Sequence, residues 1–225
     1  CFINKLDRMG PSFEFSYSTI LDRLTKKAVR YQIPIGLEEQ HTGVVNLLTK
    51  KAYIFEGDKG QTVKEVPVPA DLQADVDKYH AELLERIVEN DEVLMTEYLE
   101  GKTIALEVLK ATLRQAVIAN NLVPVLCGSA LKNKGVQLLL DAVVDYLPSP
   151  LDIPAAKGID EKTREVVERH ASDEEPFAAL AFKIQTDPFV GQLIFFRVYS
   201  GTLETGSYIY NSRTRNKERI GRIVR

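Results

Sequence analysis

Two short apolar runs, Cys1-Phe2-Ile3 and Leu122-Val123-Pro124-Val125-Leu126-Cys127, each break into a loop of small and polar residues. The first is followed by Asn4-Lys5-Leu6-Asp7, the second by Gly128-Ser129-Ala130-Leu131-Lys132-Asn133. Continuous apolar runs of this kind read as strands buried on both faces of one sheet. An ordinary connection between such strands needs only a helix and a few loop residues. Here the two loops stand about 120 residues apart, so a whole subdomain, roughly Gly36 to Asn120, must be inserted between them. With 225 residues, 44% of them hydrophobic, the chain has material for one large domain or two modest ones with real cores.

The two loops carry matched chemistry. Asn4-Lys5-Leu6-Asp7 has the form Asn-Lys-x-Asp. The Asp7 carboxylate can accept a pair of hydrogen bonds, which suits the N1–H and exocyclic amino group on the edge of guanine. Adenine offers no such donor pair. Asn4 can donate to a ring acceptor and tie its loop to a neighbour. The aliphatic stem of Lys5 can lie along the base while its ammonium stays wet. Alone, this pattern would also suit an ordinary surface loop. The second segment strengthens it, because a Ser129-Ala130-Leu131 turn leaving a strand can aim backbone N–H groups at the guanine O6. Asn133 is then the expected cap of a helix through Leu147, stopped by Pro148-Ser149-Pro150.

Composition narrows the other possibilities. No apolar span reaches membrane length and no leader pattern is present, so neither a membrane partner nor secretion is expected. Cys1 and Cys127 both lie in strand-like runs and read as buried free thiols of a reducing, cytoplasmic compartment. His41, His80 and His170 are scattered without ligand spacing, and no metal site is expected among them. The net charge of −3 conceals a split: ten acids lie between Asp71 and Glu100 against Lys78 and Arg86. Six bases lie between Asn211 and Arg225 against Glu218 alone. The two blocks suggest two different partner surfaces, or two solvated faces.

Periodicity places the remaining elements. Phe13, Tyr17, Ile20, Leu21, Leu24 and Ala28 recur at helical spacing from Phe13 to Arg30, and Ile33-Pro34-Ile35 is a short strand. Val44–Leu48, Ala52–Phe55 and Thr62–Val68 form a small meander, with a turn at Gly57-Asp58-Lys59-Gly60. Leu72 to Leu94 reads as one amphipathic helix, and Thr103 as the cap of the next. After Pro150 comes a polar linker with a small hairpin around Gly158–Thr163. Phe177–Gln185, Leu193–Tyr199 and Ser207–Asn211 then read as strands of a small all-β barrel.

With these residues placed, the chain resembles bacterial-type translation elongation factor G, the ribosomal translocase. Asn4-Lys5-Leu6-Asp7-Arg8, Ile33-Pro34-Ile35-Gly36 and Gly43-Val44-Val45 carry the resemblance. So do Val123 through Ala130 with Asn133-Lys134-Gly135-Val136, and Asp187-Pro188-Phe189-Val190-Gly191 leading to Arg197-Val198-Tyr199-Ser200-Gly201. The resemblance spans essentially the whole chain. It implies an α/β fold: the C-terminal half of a P-loop-type GTPase domain (residues 1–153) with an inserted α+β subdomain (about 36–120). Residues 154–225 would then be the start of an all-β translation-factor barrel.

The resemblance further implies a parent that uses GTP/GDP with Mg²⁺ and acts as a monomer on the ribosome, moving transfer and messenger RNA. Asn4, Lys5, Asp7, Ser129, Ala130 and Leu131 would bind guanine. Glu82, Glu85 and Glu89 would meet the ribosomal stalk protein, and Arg213, Arg215 and Lys217 small-subunit RNA, with the sarcin–ricin loop nearby. The motif G-x-x-x-x-G-K-[ST] and the Asp-x-Pro-Gly switch do not occur in the chain. In such proteins they hold the phosphates and Mg²⁺. The chain opens without methionine inside a strand-like run, and both ends read as cut from something longer. No catalytic residue is expected here, and the chain alone is expected neither to hydrolyse GTP nor to bind it usefully. Alternatives are a release-factor or tetracycline-protection relative, a non-catalytic ribosome-binding module, and a plain scaffold.

Overall fold

A computed structural model describes residues 1–57, 59–160, 163–189 and 191–224. Asp58 of the meander turn, Glu161 of the linker, Val190 of the Asp187–Gly191 motif and Arg225 of the basic terminus lie outside the described residues. The chain divides into two compact units, Cys1–Leu147 and Pro148–Arg225.

The first unit is built on a parallel sheet. Strand β7 (Val123–Cys127) lies between β1 (Phe2–Ile3) and β2 (Ala28–Arg30), pairing with both in parallel. Four of its five residues are buried, as expected for a strand covered on both faces. The chain then passes through Tyr31 into an antiparallel sheet of order β3-β4-β5-β6: Gln32–Ile35, Gly43–Asn46, Lys51–Glu56 and Thr62–Val66. Tyr31 joins the two sheets, its N–H donating to Val125 O and its carbonyl accepting from Leu47 N, both at 3.0 Å. Its hydroxyl meets that of Tyr146 at 2.9 Å.

Several helices differ from the expectation. Helix α1 (Phe13–Arg23), capped by Ser12, stops well short of Arg30. Leu24 is exposed, and Ala28–Arg30 become β2, because Ala28 and Val29 are buried beside β7. The stripe from Leu72 to Leu94 is two helices, α2 (Gln73–Val88) and α3 (Glu92–Leu99). Asn90 donates to the carbonyls of Arg86 and Ile87, and the Asp91 carboxylate accepts from Val93 N and Leu94 N. Those side-chain bonds compete with a continuing backbone ladder and split the helix.

Helix α4 (Leu106–Ile118) starts after Ala105, not at a Thr103 cap. Helix α5 (Val136–Tyr146) starts after Gly135, not Asn133. The α5 cap shifts because Gly135 sits at φ 88 and a Cβ there would lie 2.6 Å from Cys127 O. Cys127 is buried as expected, whereas Cys1 is exposed. No described helix is long and apolar enough to cross a membrane.

The second unit is all β. It contains the hairpins β8–β9 (Ala156–Ile159, Val166–Arg169), β10–β11 (Ala178–Asp187, Gly191–Ser200) and β12–β13 (Tyr208–Asn211, Asn216–Arg219).

Candidate guanine-reading site

The pairing of β1 with β7 delivers the two candidate loops to the same end of the sheet, since Ile3 lies opposite Cys127. Gly128 N donates to Ile3 O at 3.0 Å and Leu6 N to Gly128 O at 3.2 Å, so the ladder continues into the loops. Gly128 is obligatory here, because a Cβ would lie 2.2 Å from the Lys134 carbonyl oxygen. One atom then joins the loops: Asn4 Oδ1 accepts from Lys5 N at 2.8 Å and from Ala130 N at 2.9 Å. Lys5 takes φ 66 to permit this turn.

Ser129 is fully buried, and its N–H and carbonyl pair with Lys134 at 2.9 Å each. Its hydroxyl accepts from Lys132 N at 3.4 Å and hydrogen-bonds the Asp7 carboxylate. That bond is the main reason Asp7 titrates below the usual carboxylate range, with Arg8 and Lys132 contributing charge. Asp7 is therefore held ionised, the state in which both oxygens accept.

The structure thus gathers Asn4, Lys5, Asp7, Ser129, Ala130 and Leu131 around one place. It also sorts the two backbone donors. The Ala130 N–H is spent on Asn4, and of the two it is the Leu131 N–H that has no internal partner among the described residues. Within this set Asp7 is the charged acceptor and the Leu131 N–H an open donor.

The other candidate residues are elsewhere. Glu82 and Glu89 are engaged within the unit: Glu82 lies 3.3 Å from Arg30, and Glu89 lies 3.0 Å from Arg86. Glu85 has no ion-pair partner among the described residues. Arg30 also contacts Glu14 at 2.6 Å and stacks between Tyr17 and Tyr79, its guanidinium carbon 4.0 and 4.3 Å from the ring centroids. Arg213 and Arg215 occupy the exposed β12–β13 turn and Lys217 the start of β13.

Residues that the sequence reading passed over also reach the site. Gln32 is fully buried and accepts the Cys127 N–H at 3.3 Å. Glu38 accepts the Gly10 N–H at 2.7 Å, and the Lys134 ammonium donates to His41 O. Glu38 and His41 lie in the segment that follows Ile33-Pro34-Ile35-Gly36, Gln32 just before it, and Lys134 within Asn133-Lys134-Gly135-Val136.

Residues 1–149 match the family model described as elongation factor Tu GTP binding domain. The chain belongs to that family. Residues 176–225 match elongation factor G domain 2, a β-barrel module, so the two units are those of a translational GTPase. A crystal structure of a protein from Thermus thermophilus superposes with a TM-score of 0.74 at 26% sequence identity. It covers 97% of this translational GTPase chain, which itself spans 29% of the length of the Thermus protein.

Proposed function

We propose that this chain reads the guanine of GTP or GDP for an elongation factor G-type translocase that acts on the ribosome. The Asn4 oxygen carries the reading, since one acceptor binding both loops sets the ionised Asp7 beside the Ser129 turn. Asp7 accepts the two donors of guanine, Lys5 covers the base, and Leu131 N–H donates to O6. Asn4 and Ser129 hold these groups in place. Phosphate and Mg²⁺ contacts, and hydrolysis itself, are assigned to a phosphate-binding loop and switch that the sequence does not contain. GTP incubated with this chain at millimolar concentration is expected to release no phosphate above background.

The remaining assignments follow the same family. The acidic insert is proposed to meet the ribosomal stalk protein through Glu85 above all, since Glu82 and Glu89 have internal partners. The exposed Arg213–Lys217 hairpin is proposed to meet RNA phosphates. The protein is proposed to work as a cytoplasmic monomer.

The deciding experiment is Asp7→Asn in a protein that also carries the phosphate loop. Xanthine has a carbonyl where guanine has its amino group, so an amide should favour it. A shift from GDP toward XDP supports the reading, and unchanged selectivity removes Asp7 from it.

A further inference from the structure

Both base-reading loops are gripped by one short segment, Gly36 to His41. The chain leaves β3 and turns at Gly36, φ 71, where a Cβ would lie 2.0 Å from the Gln40 carbonyl oxygen. Glu38 follows, itself in left-handed backbone at φ 57. Its N–H donates to Leu6 O at 2.8 Å and its carboxylate accepts from Gly10 N at 2.7 Å. These bonds hold the first loop on either side of Asp7.

Three residues later the His41 carbonyl accepts from the Lys134 ammonium. Lys134 is also the residue whose backbone closes the Ser129 turn. His41 is in turn fixed: its ring is fully buried, and Nδ1 hydrogen-bonds Gly36 O at 3.2 Å. The segment is thus closed on itself between its two grips. A second contact lies beside it, because Gln137 Nε2 donates to Gly60 O at the β5–β6 turn.

We propose that Gly36–His41 is a bracket that sets the separation of the Asp7 and Ser129 loops, with Glu38 and Lys134 as positioning residues for base recognition. This rests on the guanine reading given above. The bracket leads directly into β4, so displacement of the inserted sheet acts on both loops at once. The insert and the base site are therefore coupled in both directions.

Amide hydrogen exchange on the whole chain tests the bracket without any nucleotide, using Glu38→Ala, Glu38→Gln and Lys134→Met. Each end is read at the other. Lys134→Met should speed exchange of the Gly10 and Glu38 amides about threefold or more, and Glu38→Ala should do the same to Ser129 and Lys134. Glu38→Gln keeps an oxygen for Gly10 and should stay near the parent rates. Exchange that rises only in the mutated loop overturns the proposal.

A chemical-shift titration with guanosine and inosine, run on a protein that also carries the phosphate loop, separates this idea from the guanine reading. Inosine lacks the amino group that Asp7 would accept, so the guanosine preference reports the position of Asp7. It should shrink in Glu38→Ala and persist in Glu38→Gln. A preference that survives Glu38→Ala overturns the positioning role. If that protein without substitution shows no preference, the guanine reading falls and the exchange rates alone decide the bracket.

Discussion

Asn4 Oδ1 accepts the Ala130 amide at 2.9 Å across 126 positions of sequence, while the same oxygen holds Lys5 N at 2.8 Å. A base-reading loop has to be rigid before it can discriminate, because a carboxylate free to swing accepts from any donor in reach. Here a shared acceptor ties the two loops together, beside the buried Leu6 and Ser129.

Replacing that acceptor should be measurable as stability. Asn4→Ala frees two exposed N–H groups, which water can satisfy, so the loss should be about 1 kcal/mol. Asn4→Asp retains the oxygen and should lose less at neutral pH. Urea unfolding of the two variants against the parent chain checks the order.

Gly128→Ala should be far more damaging. Its Cβ would meet Lys134 O, the atom that accepts the Ser129 N–H, at 2.2 Å. The turn would have to open, and a loss above about 2 kcal/mol is expected. The same urea measurement reports it, together with faster exchange of the Ser129 amide.

The stacked Arg30 predicts an inequality among acidic substitutions. Glu82→Lys places a second cation beside Arg30 and should destabilise the unit, whereas Glu85→Lys should leave stability unchanged. Arg30→Lys loses the planar contact with both tyrosine rings and should cost about 1–2 kcal/mol. Stalk-protein binding is then best tested with Glu85→Lys alone, as weaker binding most visible at low salt. Equal binding would return Glu85 to a solvated face.

His41 predicts a pH dependence. Burial is the main cause that pushes its imidazole below the ordinary 6.5, with the Lys134 ammonium adding to it. The folded state therefore keeps the ring neutral while the unfolded chain takes up a proton near pH 6.5. Its contribution is fully present above that pH and is lost as pH falls beneath it, by at most about 1.4 kcal/mol per pH unit. His41→Gln should flatten urea midpoints between about pH 6.5 and 5. A slope that survives the substitution assigns it to another group.

Much of this was legible in the residues. The two apolar runs with their loops made two neighbouring strands, the long insertion and the six candidate residues legible, because strand-then-small-turn patterns are local. The meander and strands β10, β11 and β12 were legible from alternation and glycine turns, whereas the short charged strands β9 and β13 were not. Ala28–Arg30 was not, since its spacing continues the α1 stripe and only β7, far away in sequence, makes it a strand. Asn90-Asp91 hid a helix break because the surrounding apolar period runs through it. The roles of Glu38, His41 and Lys134 were hidden for a different reason: they rest on hydrogen bonds to backbone atoms, which leave no pattern in side-chain type.

The place of β7 between β1 and β2 has a consequence for how the chain is made. Residue 3 cannot find its partner at residue 127 until the ribosome has released the whole insert, on the order of ten seconds at typical synthesis rates. Through that interval the β1 edge that takes β7 is unpaired, and this pairing carries the long loop-closure penalty that slows folding. The inserted sheet, whose strands are sequence neighbours, can fold first. A nascent chain halted just short of Leu122 should therefore protect β3–β6 from proteolysis while leaving the Asn4–Asp7 loop open to it.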